Sequence, residues 1–326
     1  MFYDLIIIGG GPAGAAAGVY AGRKKMNALL ITESFGGQSV VSDSIENWIG
    51  VKKISGFELS KMLEGHVRAF SNVEIKMPEK AVSVKEIPGG FSAQGGPASG
   101  WEVTTNKGAY QAKTLIVASG SRRRRLNIPG EDKFDGKGVS FCSTCDAPLF
   151  GGKEVAVIGG GNAGLEAAID LLAYASKIYI INRGPELTGD PVTQEEVKKS
   201  PKVVIMNNAQ TQEILGEKFV SGLKYLDKTD NQIKELPVGG IFVEIGSVPN
   251  SEIVKDMVET DKAGEIIVDR RTMAASKPGI FAAGDVTDEI YKQNNISVGD
   301  AVIAALSAYD YLLNIKKQSP AQEIGF

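Results

Sequence analysis

A strand, a three-glycine loop and a helix occur twice in this 326-residue chain, and that duplication restricts the fold more than any other feature. In the first copy Asp4-Leu-Ile-Ile-Ile8 is short, apolar and β-branched, and glycine follows at once, the pattern of a parallel strand buried on both faces. Gly9-Gly-Gly11-Pro12-Ala13-Gly14 supplies G-x-G-x-x-G spacing, Ala15 to Gly22 continues as a small-residue helix, and Ala28 to Thr32 makes the next strand. Glu33 ends it, 24 residues after Gly9. Strand, loop, helix, strand and acid in this order describe a dinucleotide site. Gly9 permits the turn, Gly11 admits a pyrophosphate to the backbone, and Glu33 accepts hydrogen bonds from ribose hydroxyls.

The second copy runs through Lys153 to Ile158, Gly159-Gly-Gly161-Asn162-Ala163-Gly164, a helix from Leu165 to Tyr174 and a strand from Lys177 to Ile181. Two nucleotide sites in one chain allow one tightly held cofactor and one diffusible one. Where the first copy has Glu33, the second has Asn182, 23 residues after Gly159, and Arg183 follows. Without a carboxylate the usual NAD ribose contact is missing. A single arginine can hold the 2′-phosphate of NADP, but it lacks a partner. The spacing therefore leaves NADPH and NADH both open.

Between the two loops lies Phe141-Cys142-Ser143-Thr144-Cys145-Asp146, which contains both cysteines of the chain. Thiols separated by two residues close a small disulfide ring and carry two electrons, and a helix starting here would lower a thiol pKa. The competing reading is half a zinc site. With His66 the only histidine, the other two ligands would have to be carboxylates, so no metal is expected. A pair of this kind with no other cysteine fits a reducing cytosol, and the expected location is cytoplasmic.

The length suggests two domains, and 43% hydrophobic residues suffice for their cores. A net charge of −3 gives no general attraction to nucleic acid or to a membrane. Met1 leads almost directly into the first strand, leaving no room for a signal peptide, and no stretch reads as a membrane span.

Other segments are less specific. Phe35-Gly-Gly37-Gln38 suits a backbone lying against a planar ligand, although Gly-Gly is equally a turn. Phe57 to Phe70 recurs with helical period and contains His66, read as a surface or packed residue. Residues 73 to 117 read as short strands. Ile87 to Gly100, with five glycines and two prolines, reads as a hairpin loop away from the chemistry. Arg122-Arg-Arg-Arg125 is read as a solvated face or linker, with a docking patch for an acidic partner or phosphate as the alternative. Val203 to Glu235 reads as strands and turns, and Gly239 to Gly246 as a buried strand. Gly279 to Asp285 is a short strand ending in Gly284-Asp285, and Tyr291-Lys292-Gln293 precedes a helix from about Ser297 to Leu313.

Taken together, Ile7 to Gly14, Phe35 to Gln38, Ile45-Glu-Asn47, Cys142 to Asp146, Val157 to Asn162, Phe281 to Asp285 and Tyr291 to Gln293 resemble the low-molecular-weight thioredoxin reductases. The likeness is strongest to the C-terminal reductase part of the flavoprotein component of alkyl hydroperoxide reductase. It spans essentially the whole chain in the family's order. The resemblance implies an α/β protein of two Rossmann-like dinucleotide-binding domains of the three-layer ββα, FAD/NAD(P) type, the second inserted in the first. Residues 1–119 and 247–326 would form the FAD domain, and 120–246 the NAD(P)H-type domain carrying the cysteines.

The resemblance also implies residue roles. Gly9, Gly11, Pro12, Ala13, Gly14 and Glu33 would bind the AMP half of FAD. Gly37, Gln38, Asn47, Gly284, Asp285, Lys292 and Gln293 would hold the rest. Gly159, Gly161, Asn162, Ala163, Gly164, Asn182 and Arg183 would receive NADPH or NADH. Cys145 would face the flavin, Cys142 would attack the partner's disulfide, and Asp146 would give a proton to the departing thiolate, with helix capping as its bland alternative. The inserted domain would swivel about hinges near Ser119-Gly120 and Gly246.

The implied enzyme is a homodimeric thioredoxin-disulfide reductase-like flavoprotein. It would pass electrons from NAD(P)H through flavin and the cysteine pair to a thioredoxin- or glutaredoxin-like protein. That partner would be separate, because the thioredoxin-like module of the peroxide-reductase flavoprotein does not precede the first strand here. The arginines typical of NADPH-using relatives are reduced to Arg183, and the glutamate typical of NADH-using ones is replaced by Asn182. A relay fed by ferredoxin or another flavin, a redox-sensing flavoprotein without turnover, and an NADH oxidase or peroxidase are the alternatives.

Overall fold

The computed structural model describes residues 2–42, 45–88 and 99–318. In chain order the elements are β1 (Phe2–Ile8), α1 (Pro12–Arg23), β2 (Ala28–Ile31), α2 (Gly56–Arg68), β3 (Val73–Lys76), β4 (Ala81–Pro88), β5 (Ser99–Thr105), β6 (Ala109–Val117) and β7 (Ser121–Arg123). Then come β8 (Val139–Ser140), α3 (Ser143–Asp146), β9 (Glu154–Ile158), α4 (Asn162–Leu171), β10 (Lys177–Ile181), α5 (Pro191–Lys199) and β11 (Val203–Met206). The chain finishes with β12 (Ala209–Gly216), β13 (Val220–Asp227), β14 (Gln232–Leu236), β15 (Gly240–Val243), β16 (Ser247–Pro249), β17 (Ile280–Ala282) and α6 (Asn294–Gln318). Two compact units result, one of Met1–Arg122 with Val248–Phe326 and one of Arg123–Ser247. The chain passes between them through β7 and β16, which pair with each other.

In the first unit the strand order is β3-β2-β1-β6-β5-β4, with β17 also on β6. β1 lies parallel between β2 and β6, so both of its faces are covered and Leu5, Ile6 and Ile7 are fully buried. β4, β5 and β6 turn antiparallel. The Ile87–Gly100 hairpin lies largely outside the described residues, although its two flanking strands pair. Helix α1 packs on α6 because each offers a small-residue face: Ala17 and Ala21 on one, Ala301, Ala304, Ala305 and Ala308 on the other, all fully buried.

The sequence reading found no membrane-length stretch, and here the structure differs. Within α6, Asn294–Ile315 is long and apolar enough to cross a membrane by length and composition. Asp300 and Asp310 interrupt the run in sequence. In the fold its alanine face, Leu312 and Ile315 belong to the core of the first unit.

Helix α2 begins at a capping box. The Ser55 side chain accepts from the Glu58 backbone N–H, and Glu58 accepts from the Ser55 N–H. Ser55→Ala is expected to lower stability by about 1 kcal/mol, read as a reduced denaturant midpoint at unchanged slope.

The second unit has three layers. Its parallel sheet runs β11-β10-β9-β15-β8, and β12-β13-β14 form a separate antiparallel sheet. Alternation along β9 sorts the two interfaces. Val155 and Val157 pack with Leu165, Ala168 and Leu171 of α4, while Ala156 and Ile158 join Ile214, Leu223 and Tyr225 of the antiparallel sheet. Both cores are apolar, which is why β9 reads as a continuous hydrophobic run.

Candidate active site

The first glycine loop forms one end of a cleft of about 680 Å³ in the first unit. Gly9 sits at φ 117°, and a Cβ on it would strike the carbonyl of Ala118. Gly11 is the N-cap of α1 with no side-chain cap, so the first N–H groups of a twelve-residue helix are left for a ligand. Gly9, Gly11, Pro12, Ala13, Glu33, Gly37, Gln38 and Asp285 all line this cleft. Gly14 does not line it; it lets α1 approach the Gly9 carbonyl.

Gln38 Nε2 lies 3.4 Å from both Ser121 Oγ and Asp285 Oδ2, and Ser297 Oγ lies 3.4 Å from Asp285 Oδ1. Gly284, at φ 76°, is pressed between Ser297 and Ala13. Its N–H faces Asp300, whose Oδ2 is buried without a hydrogen-bond partner among the described residues. Asn47 donates to Gln293 Oε1 at 3.2 Å, and Lys292 Nζ donates to the Thr287 carbonyl at 2.6 Å and pairs with Glu265 at 2.9 Å. Asn47, Lys292 and Gln293 thus tie the loop before α6 to the rest of the unit. The sequence reading missed Glu79, Lys80, Ser121, Asn294 and Ser297 as lining residues. No local pattern marks them, since they reach the cleft from the loop before β4, the start of β7 and the first turn of α6, far apart in the chain.

In the second unit Gly159 has φ 139°, and a Cβ there would strike the Glu244 carbonyl. Gly161 caps α4 without a side-chain bond, and Gly164 is pressed against the Gly159 carbonyl as Gly14 is against Gly9. Asn182 is buried and its amide is committed locally. Its Nδ2 donates to the carbonyls of Gly184 and Glu186 and to Asn207 Oδ1 at 2.8–3.2 Å, and its Oδ1 accepts from the Gly184 N–H. The loop after β10 then folds back, with Thr188 N donating to Gly160 O at 2.8 Å and Asp190 N to Asn162 Oδ1 at 2.7 Å. Arg183 keeps an exposed side chain.

Cys142 and Cys145 form a disulfide with Cα atoms 5.3 Å apart. Cys142 is the N-cap of α3, and its Sγ accepts from the Cys145 N–H at 3.2 Å. Asp146 accepts from Ser140 Oγ at 2.6 Å. Burial pushes its carboxyl above the usual aspartate range, while the Ser140 bond and the charge of Arg123 pull it back. Ser143 and Thr144 hydroxyls both donate to Asp170 Oδ2, anchoring the redox turn to α4. Among the described residues no cluster of His, Cys, Asp or Glu is arranged to hold a metal.

The arginine run lies at the surface, and its side chains make ion pairs and ring contacts within the chain. Arg122 bonds Glu252 at 2.6 Å and Asn250 at 2.8 Å, and Arg125 bonds Asp132 and Asp135. The guanidinium groups of Arg123 and Arg125 lie 5.4 and 4.9 Å from the ring centre of Phe141, next to the first cysteine.

The family model for pyridine nucleotide-disulphide oxidoreductases matches residues 3–301. The chain belongs to that family. It is 42% identical over 95% of its length to the NADH dehydrogenase of Bacillus subtilis (strain 168), and 44% identical over 95% to one of the alkyl hydroperoxide reductase subunits of Pseudomonas aeruginosa. The chain spans only 59% and 58% of those two proteins. Thioredoxin reductase from Streptococcus pyogenes MGAS5005 superposes with TM-score 0.85 at 34% identity, covering 96% of this chain and 98% of that one.

The residues lining the first-unit cleft fit FAD. The cleft has an uncapped α1 N-terminus for a pyrophosphate and Glu33, 66% exposed at its side chain, for ribose hydroxyls. Hydroxyl, amide and carboxylate groups of Gln38, Ser297 and Asp285 supply polar contacts farther along.

Proposed function

We propose that this enzyme moves electron pairs from NAD(P)H, through FAD and the Cys142–Cys145 disulfide, to the disulfide of a thioredoxin- or glutaredoxin-like protein. The observation that carries the reading is the disulfide itself, its Cys142 sulfur bonded to the Cys145 N–H beside the raised carboxyl of Asp146. Bound FAD supplies a two-electron carrier able to exchange electrons with both a nicotinamide and a disulfide.

The protein's own groups do the rest. The Cys145 N–H stabilises negative charge on the Cys142 sulfur, which makes Cys142 the attacking thiolate. Asp146, held in place by Ser140, keeps a proton to higher pH than a solvated aspartate and gives it to the leaving sulfur. Gly120 and Gly246, both at positive φ, are the proposed pivots between the two units. We place the working enzyme in the cytoplasm as a homodimer.

Anaerobic titration of the flavin-loaded protein with NADH and with NADPH tests the donor. Loss of flavin colour with one or both is expected, and Arg183→Ala is expected to weaken NADPH more than NADH. If neither nucleotide bleaches the flavin, the donor assignment fails and ferredoxin takes its place.

A further inference from the structure

Glu244 follows β15 directly and is not used by the relay described above. Its carboxylate faces the backbone N–H of Ser143, the residue that follows Cys142, which favours the charged form. Its Oε1 is buried and has no hydrogen-bond partner among the described residues. A buried carboxylate oxygen left unpaired is costly, so such an atom in a folded protein calls for a reason. The groups that face it are Arg123, Asp146 and Asp170, together with the Ser143 amide.

We propose that Glu244 is a positioning residue that couples proton binding to reduction of the Cys142–Cys145 disulfide. The inference rests on the disulfide-relay reading and adds to it a second carboxyl, with a different duty from Asp146. In the oxidised protein burial pushes Glu244 up to about 7, with Asp170 and Asp146 adding to the rise and Arg123 and the Ser143 N–H opposing it. Its charge state is therefore divided at neutral pH.

When the S–S bond breaks on receiving two electrons, one sulfur takes a proton and Cys142 remains a thiolate. A new negative charge then stands one residue from the amide that Glu244 faces. Like charges at such range disfavour each other, so Glu244 takes up a second proton from water on reduction and returns it on reoxidation. The electrons come from the reduced flavin in turnover and from dithiothreitol in the test. By linkage, ionised Glu244 opposes reduction and protonated Glu244 does not.

The test equilibrates flavin-loaded parent and Glu244→Gln protein with dithiothreitol buffers at pH 6 and pH 8, then counts alkylated Cys142 and Cys145 by mass spectrometry. Glutamine stands for the protonated acid. At pH 8 the variant is expected to favour the thiols by roughly tenfold over the parent, equal to about 30 mV for a two-electron couple. At pH 6 the two are expected to agree within about twofold. Equal constants at both pH values, or an offset independent of pH, would overturn the proposal.

Should the glutamine variant fold poorly, infrared difference spectra of the parent, reduced minus oxidised at pH 7.5, read the same event. A gained protonated-carboxyl band is expected, and its absence would also overturn the proposal. Neither readout involves the partner protein. Failure of the relay would show separately, as partner reduction that survives loss of Cys142.

Discussion

Cys142→Ser protein is expected to lose reduction of an external thioredoxin-like disulfide by at least ~10³-fold while its flavin still accepts electrons from the donor. Serine keeps the N-cap geometry, because its hydroxyl accepts the Cys145 N–H as the sulfur does. The fold and the first-unit cleft therefore stay intact. What is lost is the thiolate, since a serine hydroxyl is not ionised at neutral pH and cannot form the mixed disulfide. Cys145→Ser is expected to abolish steady turnover as well. It differs in leaving a free Cys142 that traps the partner as a stable mixed disulfide, visible on a non-reducing gel. Partner reduction undiminished in Cys142→Ser would refute the relay. Continued oxygen consumption without either cysteine would point to an oxidase.

Gly14→Ala carries the second large expected effect, on cofactor retention. On propensity alone, alanine inside α1 favours the helix by about 1 kcal/mol. Geometry decides otherwise, because the new Cβ falls on the backbone carbonyl of Gly9 and no rotamer relieves a clash with backbone. Overpacking of this kind costs about 1–3 kcal/mol and moves the loop that must receive the pyrophosphate. The purified variant is expected to come out with less flavin and to bind added FAD about 5- to 150-fold more weakly, given those ~1–3 kcal/mol lost at the site itself.

Gly65→Ala is the matched control. It also lies inside a helix, but nothing stands within 4 Å of its added Cβ, and it is exposed. That variant is expected to keep its flavin and gain up to about 1 kcal/mol of stability. Equal flavin content in both variants would show that the contact with Gly9 does not matter.

Much of the site was readable before any coordinates because dinucleotide loops are local devices. A turn at positive φ, a close approach and a helix start must follow one another within six residues, so Gly9 to Gly14 and Gly159 to Gly164 declare themselves. The cysteine pair is local for the same reason. Asn182 shows where local reading stops. Its position after β10 put it among the residues expected to receive NADPH or NADH, but its amide donates to Gly184, Glu186 and Asn207, the last of which follows β11 directly. The arginine run is exposed at Arg122, Arg124 and Arg125 and lies where the chain crosses between the units, as its reading as a solvated face or linker expects. What the sequence did not show is that carboxylates pair with Arg122 and Arg125 and that Arg123 and Arg125 flank Phe141.

By itself, then, the amino-acid order determined a doubled strand–loop–helix plan and a redox pair, since both depend on neighbours within a few residues. Only tertiary structure decided what surrounds them. It brought Ser140 and Arg123 to Asp146, and set Glu244 against the amide beside Cys142. It also gathered Gln38, Ser121, Asp285 and Ser297 into one cleft. Apart from Ser140, six positions before Asp146, those meetings join residues tens to hundreds of positions apart. Burial and charge, which set proton affinities, exist only once the chain has closed around them.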